Sequence, residues 1–288
     1  MPKYLLFMCV LLTTHASAVT VLDDRGVQVT LTQAPQRIVT LLPSLAETVC
    51  MLDACNRLVG TDKHANWPEQ VKALPKLGGL DDTSIEALVR LKPDVVLLAK
   101  SSRHISRMEA LGLKVLALEP QNMADVKRVM FTVAKVLQLP NADHGAEQLW
   151  QRAMQGIADA KSQVPASAVG ISVYFEASTG GYAAGEASFI GEVMSHMGLK
   201  NIVPASMGAF PQLNPEFVVR AKPQLILLGE PMAVQLHKRP GWSSMDAVKH
   251  QRVCAFKPAQ GDVLVRPGPR LGEAAKLMAT CLQQHFKP

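Results

Sequence analysis

At 288 residues, with 48% hydrophobic and 19% charged side chains, the chain has the composition of an ordinary globular protein of one or two domains. Its net charge of +6 is scattered, with no Lys/Arg run and no interleaved aromatics, which excludes nucleic acid as a partner. No stretch beyond the N-terminus is long and apolar enough to span a membrane.

The N-terminus reads as a leader. Lys3 precedes an apolar stretch over residues 4–12, and the small-residue triplet Ala16-Ser17-Ala18 follows, so cleavage is expected after Ala18 and the mature protein is expected in the periplasm. A membrane anchor fails on length, because a span needs about 20 apolar residues. A lipoprotein signal would need a small residue before Cys9, where Met8 stands. Cleavage removes Lys3 and no acid, which lowers the net charge by one.

Residues 19–31 alternate around Asp24-Arg25-Gly26, which predicts a hairpin. Residues 37–42 read as a buried strand stopped by Pro43, with Ser44 capping a helix to about Cys50 and a strand at 58–60. Next come a strand at 95–98, a helix at 105–111, a strand at 114–118 and a helix at 124–137. This alternation predicts a parallel sheet with helices on both faces. Residues 142–163 then form an uninterrupted helical stretch, with Ala146, Leu149, Ala153, Ile157 and Ala160 on one apolar stripe. At ~1.5 Å per residue it is a rod roughly 33 Å long, read as a rigid connector. The second half restarts with a strand at 168–175, a glycine-rich turn at 180–185, a helix near 189–197 and a strand at 252–256. A final helix is expected from about Pro269 to Phe286.

One segment occurs twice. Residues 84–99 read S-I-E-A-L-V-R-L-K-P-D-V-V-L-L-A, and residues 214–229 read N-P-E-F-V-V-R-A-K-P-Q-L-I-L-L-G. Each copy is a short helix, a Lys-Pro break and an apolar run with the character of a buried parallel strand. The fold class expected is therefore α/β, with two similar lobes on parallel sheets joined by one long connecting helix. The divisions are a leader over 1–18, an N-terminal lobe over 19–140, the connecting helix over 141–163 and a C-terminal lobe over 164–288. Two similar lobes imply a ligand held between them.

In an oxidising compartment the remaining cysteines favour disulfides over free thiols. Cys50, Cys55, Cys254 and Cys281 allow three pairings. Cys50–Cys55 with Cys254–Cys281 is favoured, closing one short loop and tying a strand to the last helix. A zinc site is the weaker reading, since no Cys-x-x-Cys occurs.

The motifs of catalysis are missing. No two histidines stand three or four apart, there is no H-E-x-x-H, and no metal site is expected. The 180–185 turn lacks the Lys-Ser/Thr of a P-loop, and no G-x-S-x-G occurs. A hydrolase on a two-lobed scaffold is the remote alternative. What remains are polar and aromatic residues at strand ends, where open α/β sheets bind ligands. These are Asp62, His64 and Trp67 after the strand at 58–60, Tyr182, Phe210, Asp262 and Arg266. Ser84 and Asn214 are good N-caps that put Glu86 and Glu216 at the second helical position. The helix dipole stabilises a carboxylate there by about 0.3–1 kcal/mol, which explains either one alone. Their occurrence on both lobes points to a paired docking role.

At this point the chain resembles the periplasmic binding proteins of ABC importers for iron chelates, haem and cobalamin, of the helical-backbone type. The carriers are D-D-R-G-V-Q-V-T-L, A-P-Q-R-I-V-T-L-L-P-S-L-A-E-T, the L-V-G-T-D…W-P block, both repeat copies and R-P-G-P-R before the last helix. Within the family it looks most like the cobalamin binders. The resemblance implies two α/β lobes bridged by one helix, a monomer, no resident cofactor, and a metal chelate as cargo. Cobalamin is expected, with haem or a ferric siderophore as the alternative. By resemblance His64, Trp67, Tyr182, Phe210, Asp262 and Arg266 face the ligand, the last two from a polar loop. Glu86 and Glu216 match the carboxylates that meet arginines on an ABC permease dimer. His64 stands where the cobalamin binders have a tyrosine, and the aromatic expected near Leu77-Gly78 is absent.

Overall fold

The computed structural model describes residues 18–286. The expected leader therefore lies outside the described residues, save Ala18. The chain opens with a hairpin of β1 (Val19–Leu22) and β2 (Gln28–Leu31), paired antiparallel. Its turn is held by Asp23, whose Oδ1 accepts from the backbone N–H groups of Arg25 (2.9 Å) and Val27 (3.0 Å).

The N-terminal lobe follows as β3 (Ile38–Thr40), α1 (Pro43–Met51), β4 (Leu58–Thr61), α2 (Ile85–Arg90), β5 (Val95–Leu98), α3 (Ile105–Ala110), β6 (Val115–Ala117) and α4 (Met123–Leu137). Its strands lie in the order β4-β3-β5-β6, all parallel. Ser44 does not cap α1. Leu42 is the N-cap and Pro43 starts the helix with its φ already set. Ser44 falls inside the first turn, where its buried hydroxyl has no partner.

The connector is α5 (Ala142–Ser162), and the five residues of its predicted stripe are its buried residues. The C-terminal lobe comprises β7 (Ser172–Ser178), β8 (Tyr182–Ala183), α6 (Phe189–His196), β9 (Lys200–Asn201), α7 (Pro215–Ala221), β10 (Leu225–Gly229), α8 (Glu230–Ala233), α9 (Asp246–Lys249), β11 (Val253–Phe256), α10 (Pro258–Val265) and α11 (Leu271–His285). β7 begins four residues later than predicted, because Gly170 sits at φ +78° and interrupts the extended chain. A helix over 258–265 was not anticipated.

The two lobes are built alike. β9, β7, β10 and β11 pair in parallel in that order, matching β4, β3, β5 and β6, and β8 adds an antiparallel strand on β7. The repeat places β5 and β10 at equivalent interior positions. Lys92 and Lys222, at the two breaks, both take left-handed backbone angles (φ +45° and +47°). Alternate strand residues face opposite layers. Val95 and Leu97 of β5, with Leu225 and Leu227 of β10, enter a single core shared with α1, α4, α5, α6 and α11. Val96 and Leu98 pack outward with Ile85 of α2 and Met108 of α3, while Ile226 and Leu228 pack with Val218 of α7 and Trp242. One continuous core thus runs between the two sheets.

Within that core α5 and α11 cross backbone to backbone. A Cβ added to Gly156 would lie 2.8 Å from the Cα of Gly272. Cys50–Cys55 closes the end of α1, and Cys254–Cys281 ties β11 to α11 with a Cα–Cα distance of 6.0 Å.

Candidate binding cleft

In each lobe the chain leaves the first strand toward one neighbour and later returns on its other side, so the strand order switches beside β3 and beside β7. Open α/β sheets hold ligands at the carboxyl ends of strands flanking such a point. The candidate residues fall at these ends.

On the N-terminal lobe the chain after β4 turns sharply at Asp62. This residue is 3% exposed; its amide donates to Thr40 O (2.8 Å) and its Oδ1 accepts from the His64 amide (2.6 Å). Burial pushes the Asp62 carboxyl up, against the downward pull of the His64 amide. His64, on the rim of this turn, is exposed, and Trp67 is half-buried beneath the guanidinium of Arg270 (4.5 Å to the ring centroid).

Asp262 lies within α10 and Arg266 is its C-cap, rather than both lying in a loop. Pro258 starts α10, and the Lys257 amide donates to Gln260 Oε1 (3.0 Å). The helix delivers both side chains across the gap between the lobes. Arg266 is 7% exposed and donates to Glu47 Oε1 (2.7 Å), Asn66 Oδ1 (2.9 Å) and the His64 carbonyl (2.9 Å), with Asp262 Oδ2 at 2.9 Å. Asn66 in turn donates to Asp262 Oδ2 (2.7 Å). The expectation that Arg266 faces a ligand therefore meets a different geometry, in which its guanidinium is a joint between lobes. Burial pushes the Glu47 carboxyl up, while Arg266 and Arg270 pull it down.

Tyr182 and Phe210 are not part of this network. They lie together on a second rim, where Ala183 donates to Pro211 O (3.0 Å), Gly185 donates to Ala209 O (2.8 Å), and Tyr182 bridges to Gln212. Tyr182 is 43% exposed, whereas Phe210 is half-buried against Phe189 (centroids 5.8 Å apart). Within the C-terminal lobe the carboxyl ends of β7, β10 and β11 line a pocket of about 220 Å³, with Phe175, Leu228, Met232, Phe256, Asp262 and Val265 among its walls. Glu176 at its edge is buried and receives two hydrogen bonds from Arg239 (2.5 and 2.9 Å), whose guanidinium stacks on Trp242 (4.5 Å). Burial pushes the neighbouring Tyr174 phenol up, beyond the usual range.

Glu86 and Glu216 occupy matching positions on α2 and α7. Ser84 accepts from the Ala87 amide (3.3 Å) and Asn214 from the Glu216 amide (2.9 Å), so both caps form, and both carboxylates are exposed. Sequence reasoning missed Glu47, Asn66 and Arg270. All three stood inside blocks already singled out, Glu47 in A-P-Q-R-I-V-T-L-L-P-S-L-A-E-T, Asn66 in L-V-G-T-D…W-P and Arg270 in R-P-G-P-R, but nothing local marks them as members of the Arg266 network.

The descriptive profile of periplasmic binding proteins matches residues 38–259. The chain belongs to that family. Its members bind solutes rather than transform them, and ABC importers take delivery from them. An ABC transporter substrate-binding lipoprotein of Bacillus subtilis, YvrC, is 28% identical over 277 residues, covering 92% of this chain and 86% of its own. The vitamin B12-binding protein of Yersinia pestis is 24% identical over 201 residues, covering 68% of this chain and 70% of its own. Among solved structures, the heme-binding protein HmuT superposes with a TM-score of 0.75 at 21% identity, covering 93% of this chain and 90% of its own, which establishes the shared fold. Among the described residues no helix is long and apolar enough to cross a membrane.

Proposed function

We propose that the protein is exported on a leader over residues 1–18, captures cobalamin in the periplasm, and delivers it to an inner-membrane ABC permease. The supporting observation is that each lobe presents an aromatic-bearing rim, His64 with Trp67 and Tyr182 with Phe210, and that Asp262, which lines an apolar pocket of the C-terminal lobe, is bonded to Asn66 of the other lobe. Aromatic faces suit the apolar faces of a large flat chelate, and a few polar groups fix its edge. Arg266 acts by holding Asp262 and the His64–Asn66 turn in place. Similarity to a curated vitamin B12-binding protein supports the choice of cobalamin.

A haem reading is favoured by one feature. His64 and Tyr182 are exposed on opposite lobes, and both residue types ligate iron. Visible absorption titration of residues 19–288 with cyanocobalamin, haemin and a ferric siderophore separates the readings. Saturable perturbation by cobalamin alone is expected. A Soret shift with haemin that disappears in His64→Ala or Tyr182→Phe moves the assignment to haem, and no response to any of the three contradicts the chelate reading.

Glu86 and Glu216 dock the permease through paired charges that fix register more than affinity. With the permease reconstituted in vesicles, Glu86→Ala combined with Glu216→Ala leaves chelate binding intact and abolishes uptake. Unchanged uptake by that double variant refutes the docking role.

A further inference from the structure

Away from the cleft, α11 carries Cys281 and His285 four residues apart, and residues at this spacing share one face of a helix. Cys254 of β11 meets the same face. The two sulfurs and a ring nitrogen of His285 all lie within 4.8 Å of one another. Both cysteines are buried, at 4% and 6% exposure, whereas His285 is half-buried and offers a route in.

We infer that Cys254, Cys281 and His285 form a redox-gated site for a soft divalent cation such as zinc, closed while the cysteines are joined and opened when they are reduced. Tetrahedral zinc takes sulfur at about 2.3 Å and nitrogen at about 2.0–2.1 Å, which places its ligand atoms roughly 3.5–4 Å apart. The ring nitrogen lies within 4.8 Å of both sulfurs, and the sulfurs, bonded to each other, must part by about 2 Å to reach that spacing. Once the bond is cut, side-chain rotation lets the sulfurs part while β11 and α11 keep their packing. The reductant is a dithiol. It gives two electrons and two protons to the Cys254–Cys281 bond, producing two thiols as it closes to its own disulfide. The incoming cation then displaces the two thiol protons, and two thiolates balance its charge. Three protein ligands leave a fourth position for water or a small ligand. In the oxidised protein His285 alone remains as a donor, so the site exists in one redox state only.

The test uses purified protein carrying Cys50→Ser and Cys55→Ser, so that a single disulfide remains. It is reduced with a phosphine and titrated with cobalt(II) as the spectroscopic stand-in for zinc, with circular dichroism to follow the fold. We expect one cobalt per chain, thiolate-to-cobalt charge-transfer absorption, displacement by zinc and no uptake by the oxidised protein. His285→Ala, which leaves both cysteines in place, weakens binding at least about tenfold. Reduced, folded protein that takes up no cobalt overturns the inference. So does unfolding on reduction, since the site needs α11 packed on β11, and so does equal affinity in His285→Ala.

Discussion

A residue's reach in this protein is set by how many partners its burial forces on it. Arg266 binds Glu47, Asn66, Asp262 and the His64 carbonyl, so its removal strands a carboxylate that is 1% exposed. Breaking a buried pair by deleting one partner costs about 3–5 kcal/mol. Arg270, 3.6 Å from Glu47, remains as a weaker partner and puts the loss near the lower end. In urea unfolding, Arg266→Met should lose about 3 kcal/mol, and adding Glu47→Leu should restore part of it. A double variant no more stable than Arg266→Met alone contradicts this account. Asp23 gives the pH counterpart. Burial would raise its carboxyl, but donors from Val27, Arg25 and Ala117 outweigh burial and hold it below the ordinary range. A depressed carboxylate adds stability above its unfolded pKa of about 3.9 and loses it as pH falls through the lower folded value. Asp23→Asn should therefore lower the melting temperature at neutral pH and flatten its fall on the acid side; an unaltered acid slope would count against the assignment.

At the level of elements, close approach matters more than propensity. Gly156 and Gly145 both lie on α5, yet only Gly156 presses on another backbone; the nearest neighbour to a Cβ on Gly145 is Leu52 at 4.0 Å. Gly156→Ala should destabilise by about 1–3 kcal/mol through overpacking against α11. Gly145→Ala should be neutral or stabilise by about 0.5–1 kcal/mol. Thermal melts of both variants check the contrast, and equal effects would mean the crossing is loose. The same contrast explains what could be read beforehand. The α5 stripe and the repeated helix–break–strand unit carry their periodicity in the chain itself, and both form. α10 was hidden because Pro258, Gly261, Pro267, Gly268 and Pro269 spell a loop, and its helix depends on burying Val263 and Leu264 against the core. The Glu47–Arg266 joint spans 219 residues and leaves no local trace. The aromatics at strand ends could be located from sequence, but the polar contacts across the lobes depend on where α10 carries Asp262 and Arg266.

For the molecule as a whole, a core running unbroken from β5 through α5 and α11 to β10 ties the two lobes together. Opening would have to expose that core and break the Arg266 joint together. Small-angle scattering curves with and without ligand should superimpose; a clear fall in radius of gyration on binding would show closure instead. A cleft of fixed width selects its cargo by size and shape, which agrees with a bulky chelate. The measurement that tests the central claim most directly is the chelate dissociation constant of the wild type against Trp67→Ala and Tyr182→Ala, one from each lobe. A ligand gripped between the lobes requires each variant to bind at least about tenfold more weakly, a loss of ~1.4 kcal/mol. Unchanged affinity in both would place the ligand outside this cleft.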